Sequence, residues 1–137
     1  MNKSLILISH GKFCHELKAS TEMIMGSQDS IYTVGLEPTE DAESFKNKLL
    51  KVINSINAEY VILADLMGGT PCNVASRLLM EGYQFELYAG MNMPMAIGFL
   101  NGLLLNEETD IKGFAIENIH RVNDLLEANS DDDEDEM

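Results

Sequence analysis

The chain switches between two hydrophobic periods, and that alternation constrains its fold more than any other feature. Four short runs, SLILIS (4–9), IYTVGL (31–36), YVILAD (60–65) and FELYAG (85–90), are rich in β-branched or aromatic residues. At least two of them are apolar on both faces, as strands of a covered parallel sheet should be. The segments between them carry helical spacing. Phe13, Leu17 and Ile24 form one stripe, closed by Gly26 in the place of a C-cap glycine. Phe45, Leu49, Val52, Ile53 and Ile56 form a second, with Thr39 as the expected N-cap ahead of Glu40 and Asp41. A third helix opens at TPCN, with Thr70 as N-cap and Pro71 at the first helical position. It turns Val74, Leu78 and Leu79 inward and ends at Gly82. A fourth begins at NMPM, with Asn92 or Met93 before Pro94, and reaches to about Leu105.

Four strand–helix repeats predict an α/β fold: a doubly wound, mainly parallel four-stranded sheet flanked by helices, with right-handed crossovers. Ile111, Phe114, Ala115 and Ile119 then suggest a further helix, and RVNDLL (121–126) reads equally as strand or helix. The organisation expected is one domain over 1–128 and a disordered acidic tail over 129–137.

At 137 residues the chain is long enough to bury a core. Its net charge is -14, of which the DDDEDE run at 131–136 supplies six charges. The nine basic residues form no stripe, so nucleic acid and anionic membrane are poor partners for this surface. Cys14 and Cys72 make no CxxC or metal-ligand pattern and are expected as reduced thiols. No apolar run approaches the ~18 residues of a membrane span, and no signal-peptide pattern is present, which points to a cytoplasmic protein. No metal or cofactor is implied.

In an open α/β sheet, ligands bind beyond the carboxyl ends of the strands, where strand order reverses. If the first strand lies between the second and third, two chemically equipped ends flank that crevice. One is SHGK with His10; the other is ADLMGGTP with Asp65, Gly68, Gly69 and Thr70. A carboxylate can fix the tautomer of an imidazole and leave its other nitrogen as a nucleophile. A glycine-rich turn feeding a helix N-terminus suits a phosphate. Neither Walker A spacing nor GxGxxG is present, so ordinary nucleotide binding is not supported.

SHGKFCHELKASTEMIMG (9–26), LADLMGGTPCNVASRLL (63–79) and YAGMNMPM (88–95) together resemble the mannose-family IIA domain of the bacterial phosphoenolpyruvate-dependent sugar phosphotransferase system. The likeness covers about residues 4 to 120. It implies that His10 is transiently phosphorylated, receiving the group from the phosphohistidine carrier protein HPr and passing it to a IIB domain. Asp65 would hydrogen-bond the active histidine, and Gly68, Gly69 and Thr70 would lie at the phosphoryl group. The membrane subunits IIC and IID would be engaged only indirectly, and a IIB partner would be a separate polypeptide. Members of the family often form homodimers by exchanging a C-terminal antiparallel strand preceded by glycine. IENIHRVNDLL (116–126) has no glycine there, which leaves the exchange open but a homodimer expected.

His15 reads as a solvent-facing helix residue, His120 as structural, Cys72 as a packing residue and Lys12 as a surface lysine. The methionines of MNMPM (91–95) suit either a soft contact surface or ordinary packing. Alternatives to the carrier are a regulatory binding module of the same fold, the phosphocarrier subunit of a dihydroxyacetone kinase, and a flavodoxin-like nucleotide binder.

Overall fold

The structure, a computed structural model, describes residues 2–136, with side chains described through residue 129. Among these residues the chain runs β1 (Lys3–His10), α1 (Phe13–Met25), β2 (Ile31–Leu36), α2 (Ala42–Ser55), β3 (Glu59–Ala64), α3 (Thr70–Met80), β4 (Glu86–Ala89), α4 (Met93–Leu105), α5 (Ile111–Glu117) and α6 (Val122–Glu136). The four strands form one parallel sheet in the order β2-β1-β3-β4. The α/β expectation holds, and β1 lies between β2 and β3.

A strand flanked on both sides by strands and on both faces by helices needs an apolar middle, and β1 has one. Leu5, Ile6, Leu7 and Ile8 are all fully buried, each burial contributing on the order of 1.5–3 kcal/mol. Leu5 and Leu7 enter a core with Val61, Leu63, Met95, Phe99 and Ile111, covered by α1, α4 and α5. Ile6 and Ile8 enter the opposite core with Phe45, Leu49, Val74 and Leu78, covered by α2 and α3. Of the MNMPM methionines, Met91 and Met95 are core residues.

Local chemistry explains the helix starts. The Asp41 carboxylate accepts the Ser44 N–H at 2.9 Å to open α2. Asn92 Oδ1 accepts the Met95 N–H at 3.0 Å to open α4, and Asp110 Oδ1 accepts the Gly113 N–H at 3.1 Å to open α5. Two expected caps are thereby corrected. Asp41, not Thr39, caps α2, because its carboxylate is three residues from an amide it can reach. Gly69, not Thr70, is the N-cap of α3, and Thr70 is already helical.

The stripe expected on α1 is also shifted. Cys14, Leu17 and Thr21 face the core, whereas Phe13 and Ile24 are 48% and 63% exposed. Leu79 of α3 is exposed too, while Val74 and Leu78 are buried. RVNDLL, read as strand or helix, is helical: α6 begins at Val122, and the described residues contain no C-terminal strand. The acidic run expected as a disordered tail continues the backbone of α6 to Glu136, and its side chains from 130 on lie outside the described residues.

Candidate functional site at the carboxyl ends of β1 and β3

Strand register brings together two residues 55 positions apart. Ile8 of β1 is paired with Ala64 of β3, so the chain leaves both strands side by side, and the Asp65 N–H donates to the Ile8 carbonyl at 3.1 Å. One oxygen of Asp65, Oδ2, accepts from the His10 backbone N–H at 2.9 Å and lies 2.7 Å from His10 Nδ1. The other, Oδ1, accepts the Leu66 N–H at 2.9 Å. Partial burial of Asp65 works against its ionised form, but the His10 backbone N–H, the imidazole and the Leu66 N–H outweigh it. The carboxyl is held below its ordinary range. It therefore stays ionised at neutral pH and can only accept, which assigns the proton of a neutral His10 to Nδ1 and leaves Nε2 with a lone pair.

The Cε1–Nε2 edge of the ring lies against the third part. Gly69 packs so closely against the imidazole that a Cβ there would lie 2.5 Å from His10 Cε1 and 3.1 Å from Nε2. Only a residue without a side chain permits that approach. Gly68, at φ +90°, makes the preceding turn in the left-handed region that glycine adopts without strain. Gly69 opens α3 with no side-chain cap, unlike Asp41, Asn92 and Asp110, so the amides of the first turn of α3 are not occupied by a capping side chain. Pro71, in that first turn, has no N–H to satisfy. Thr70 sits in the same turn, and among the described residues its hydroxyl makes no hydrogen bond to His10. The His10 side chain is 48% exposed and that of Asp65 only 9%, so the imidazole is presented at the surface by a sheltered carboxylate.

Ser9 escaped the sequence reading. It is fully buried, and its Oγ accepts the Cys14 N–H at 2.8 Å, tying the end of β1 to the first turn of α1. No local spacing marks it, because Ser9 lies in β1 and its partner amide is five residues on, in the first turn of α1. His15 is exposed as expected, but its Nδ1 lies 2.8 Å from Thr33 Oγ1 on β2. His120 is exposed, and Cys72 is buried as packing. Desolvation pushes the buried Cys14 thiol above its usual value, which makes it unreactive. Among the described residues no group of His, Cys, Asp and Glu is arranged to hold a metal ion, and no helix is long and apolar enough to cross a membrane.

Comparisons with known proteins identify the family of the chain. A family described as "PTS system fructose IIA component" matches residues 4–112. The fructose-specific EIIA component of Bacillus subtilis is 30% identical over 100 residues, covering 72% of this chain and 68% of that protein. The mannose-specific EIIAB component of Escherichia coli K12 is 28% identical over 99 residues, 71% of this chain but only 31% of that longer protein. Among solved structures, the mannose/sorbose-specific IIA subunit from Enterococcus faecalis superposes with a TM-score of 0.68 at 32% identity, covering 85% of this chain and 86% of that one. A IIA protein associated with the fucose utilisation operon of Streptococcus pneumoniae shares the fold with a TM-score of 0.81 at 22% identity, over 92% and 97% of the two chains. The chain belongs to the fructose/mannose IIA family of the sugar phosphotransferase system.

Proposed function

We propose that the protein is a phosphoryl carrier that accepts a phosphoryl group on His10 Nε2 from phospho-HPr and passes it to a IIB subunit during sugar uptake. The observation that carries this reading is the single Asp65 oxygen gripping both the backbone N–H and Nδ1 of His10 while the Cε1–Nε2 edge of the ring lies against Gly69 at the start of α3. The Nε2 lone pair attacks phosphorus as the donor's N–P bond breaks, and the donor imidazole leaves with that bond's electron pair. The acceptor keeps its Nδ1 proton, and the positive charge that develops on its ring is met by the Asp65 carboxylate. Amides of the Gly68-Gly69-Thr70 turn and the first turn of α3 stabilise the phosphoryl oxygens.

The reaction needs position more than acid–base power, because the phosphorus arrives already activated. A half-exposed imidazole suits a relay in which two proteins reach the same atom in turn. IIC and IID are engaged only through IIB. A homodimer is part of the same reading, supported by the open edge of β4 and by exposed Ile119, Val122, Leu125 and Leu126 near the C-terminus.

The test is intact-mass spectrometry at neutral to alkaline pH after incubation with phosphoenolpyruvate, enzyme I and HPr. One acid-labile phosphoryl adduct, absent from His10→Ala, is expected. An unmodified mass with competent partners overturns the reading and leaves a regulatory module.

A further inference from the structure

β2 is an edge strand, yet Gly35 near its end is buried. A glycine inside a strand marks either a bulge or a close approach by another piece of backbone. Here it is an approach. Gly35 is in register with Ser9, and the turn that follows His10 folds back over it. A Cβ on Gly35 would fall onto the Gly11 carbonyl oxygen, closer than real Cβ atoms come, and would lie 3.1 Å from His15 Nε2.

We infer that Gly35 is a positioning residue for His10: its missing side chain is the seat of the Gly11 carbonyl, and the seat fixes where the imidazole meets Asp65. The inference rests on the carrier reading for its consequence in phosphoryl transfer, though not for the geometry. Nothing around the seat can give easily. The Gly11 N–H is held by the Leu36 carbonyl at 2.8 Å, so the turn is pinned to β2 beside the seat. The Gly35 carbonyl is itself held by Lys48 Nζ at 2.6 Å, and Lys48 is paired with Glu40 at 2.7 Å. The third wall is the His15 ring, anchored through Nδ1 to Thr33 Oγ1.

Gly35 does not have the left-handed backbone of Gly11 or Gly68, so its own conformation accepts alanine and only the contact is disturbed. Displacing the Gly11 carbonyl drags His10 with it. Both hydrogen bonds of His10 converge on one Asp65 oxygen, so they cannot both survive a shift of the turn.

The test is Gly35→Ala, checked for native circular dichroism, with two readouts on the full chain. The imidazole 15N resonances of His10 report tautomer and hydrogen bonding, and the time course of phosphorylation by phospho-HPr reports transfer. In wild type the neutral ring is expected to carry its proton on Nδ1 alone. The variant is expected to show averaged His10 nitrogen shifts and about tenfold slower phosphorylation, since a displacement near 1 Å can cost about 10²-fold. Thr33→Val releases His15 without adding volume and should move both readouts the same way by less; it carries the test if Gly35→Ala does not fold. Unchanged nitrogen shifts in the folded variant, or altered shifts with an unchanged rate, overturn the inference. A wild-type protein that is never phosphorylated sinks the carrier reading instead, with the nitrogen shifts still judging the seat.

Discussion

β1 carries a side chain paired with a carboxylate at each end, and the two arrangements look alike only in distance. At its start, Lys3 Nζ lies 3.0 Å from Glu108 Oε2 and 3.9 Å from Glu59 Oε2, with the two glutamates 74% and 82% exposed. At its end, His10 Nδ1 lies 2.7 Å from Asp65 Oδ2, whose side chain is 9% exposed. Lys3 holds its partners directly with a flexible stem, but both glutamates stand in solvent, which screens the attraction, and ordering the long side chains costs entropy. Asp65 is held by two backbone N–H donors before the imidazole is counted, so its orientation is fixed by the sheet itself. Charge at the amino end straps the surface; charge at the carboxyl end aims a ring. The difference comes from desolvation and fixed donors rather than from the number of charges.

The largest break in that comparison is Asp65→Asn. Its amide can turn N–H toward His10 Nδ1, which favours the tautomer with the proton on Nε2 and removes the lone pair that attacks phosphorus in the proposed relay. Phosphorylation by phospho-HPr should fall on the order of 10²-fold or more, the scale of other wrong-tautomer substitutions. Retention of the wild-type rate would show that the carboxylate does not set the tautomer.

A middle-sized effect belongs to acid. The folded-state pKa of Asp65 lies below its unfolded value, so its stabilising contribution is complete above about pH 4, the range of an unperturbed carboxylate, and is lost as pH falls through the folded value. Thermal midpoints of wild type and Asp65→Asn should therefore converge as pH falls from 5 toward 2, when both are followed by calorimetry. Parallel curves would contradict the assignment. Comparing the two proteins is necessary because Glu40, held low by hydrogen bonds from Lys48 and the Glu37 N–H, contributes in the same direction in both.

The smallest effect sharpens the other side. Glu108→Gln should cost no more than about 0.2–1 kcal/mol in urea denaturation, shrink in high salt and leave His10 phosphorylation untouched. A loss of several times that size would mean the amino-terminal pair is more than a solvated strap.

Much of the fold was legible along the chain because it is written in local periodicity. IYTVGL is β2 residue for residue, and Pro94 behind Asn92 marks the start of α4. Legibility failed where the deciding partner is remote. Phe13 and Ile24 are apolar yet exposed, while Thr21 is buried, because the face of α1 is set by how it lies on β1 and β2. RVNDLL took the helical of its two readings, which its own pattern did not decide. In the candidate site, His10, Asp65 and the Gly68-Gly69-Thr70 turn stood out by residue type and position at strand ends. Ser9 and Gly35 did not, since a serine and a glycine in apolar strands are ambiguous until one sees what covers them.

By itself, then, the sequence determined the alternation of strand and helix, strands apolar on both faces and the chemistry waiting at two strand ends. Each of these follows from residues a few positions apart. Only the tertiary structure decided that one Asp65 oxygen would take both hydrogen bonds of His10, that Gly69 would lie against the Nε2 edge, and that Gly35 would seat the Gly11 carbonyl. Those contacts join positions far apart in the chain, and they are fixed to tenths of an ångström by strand register and close packing, which no local pattern encodes.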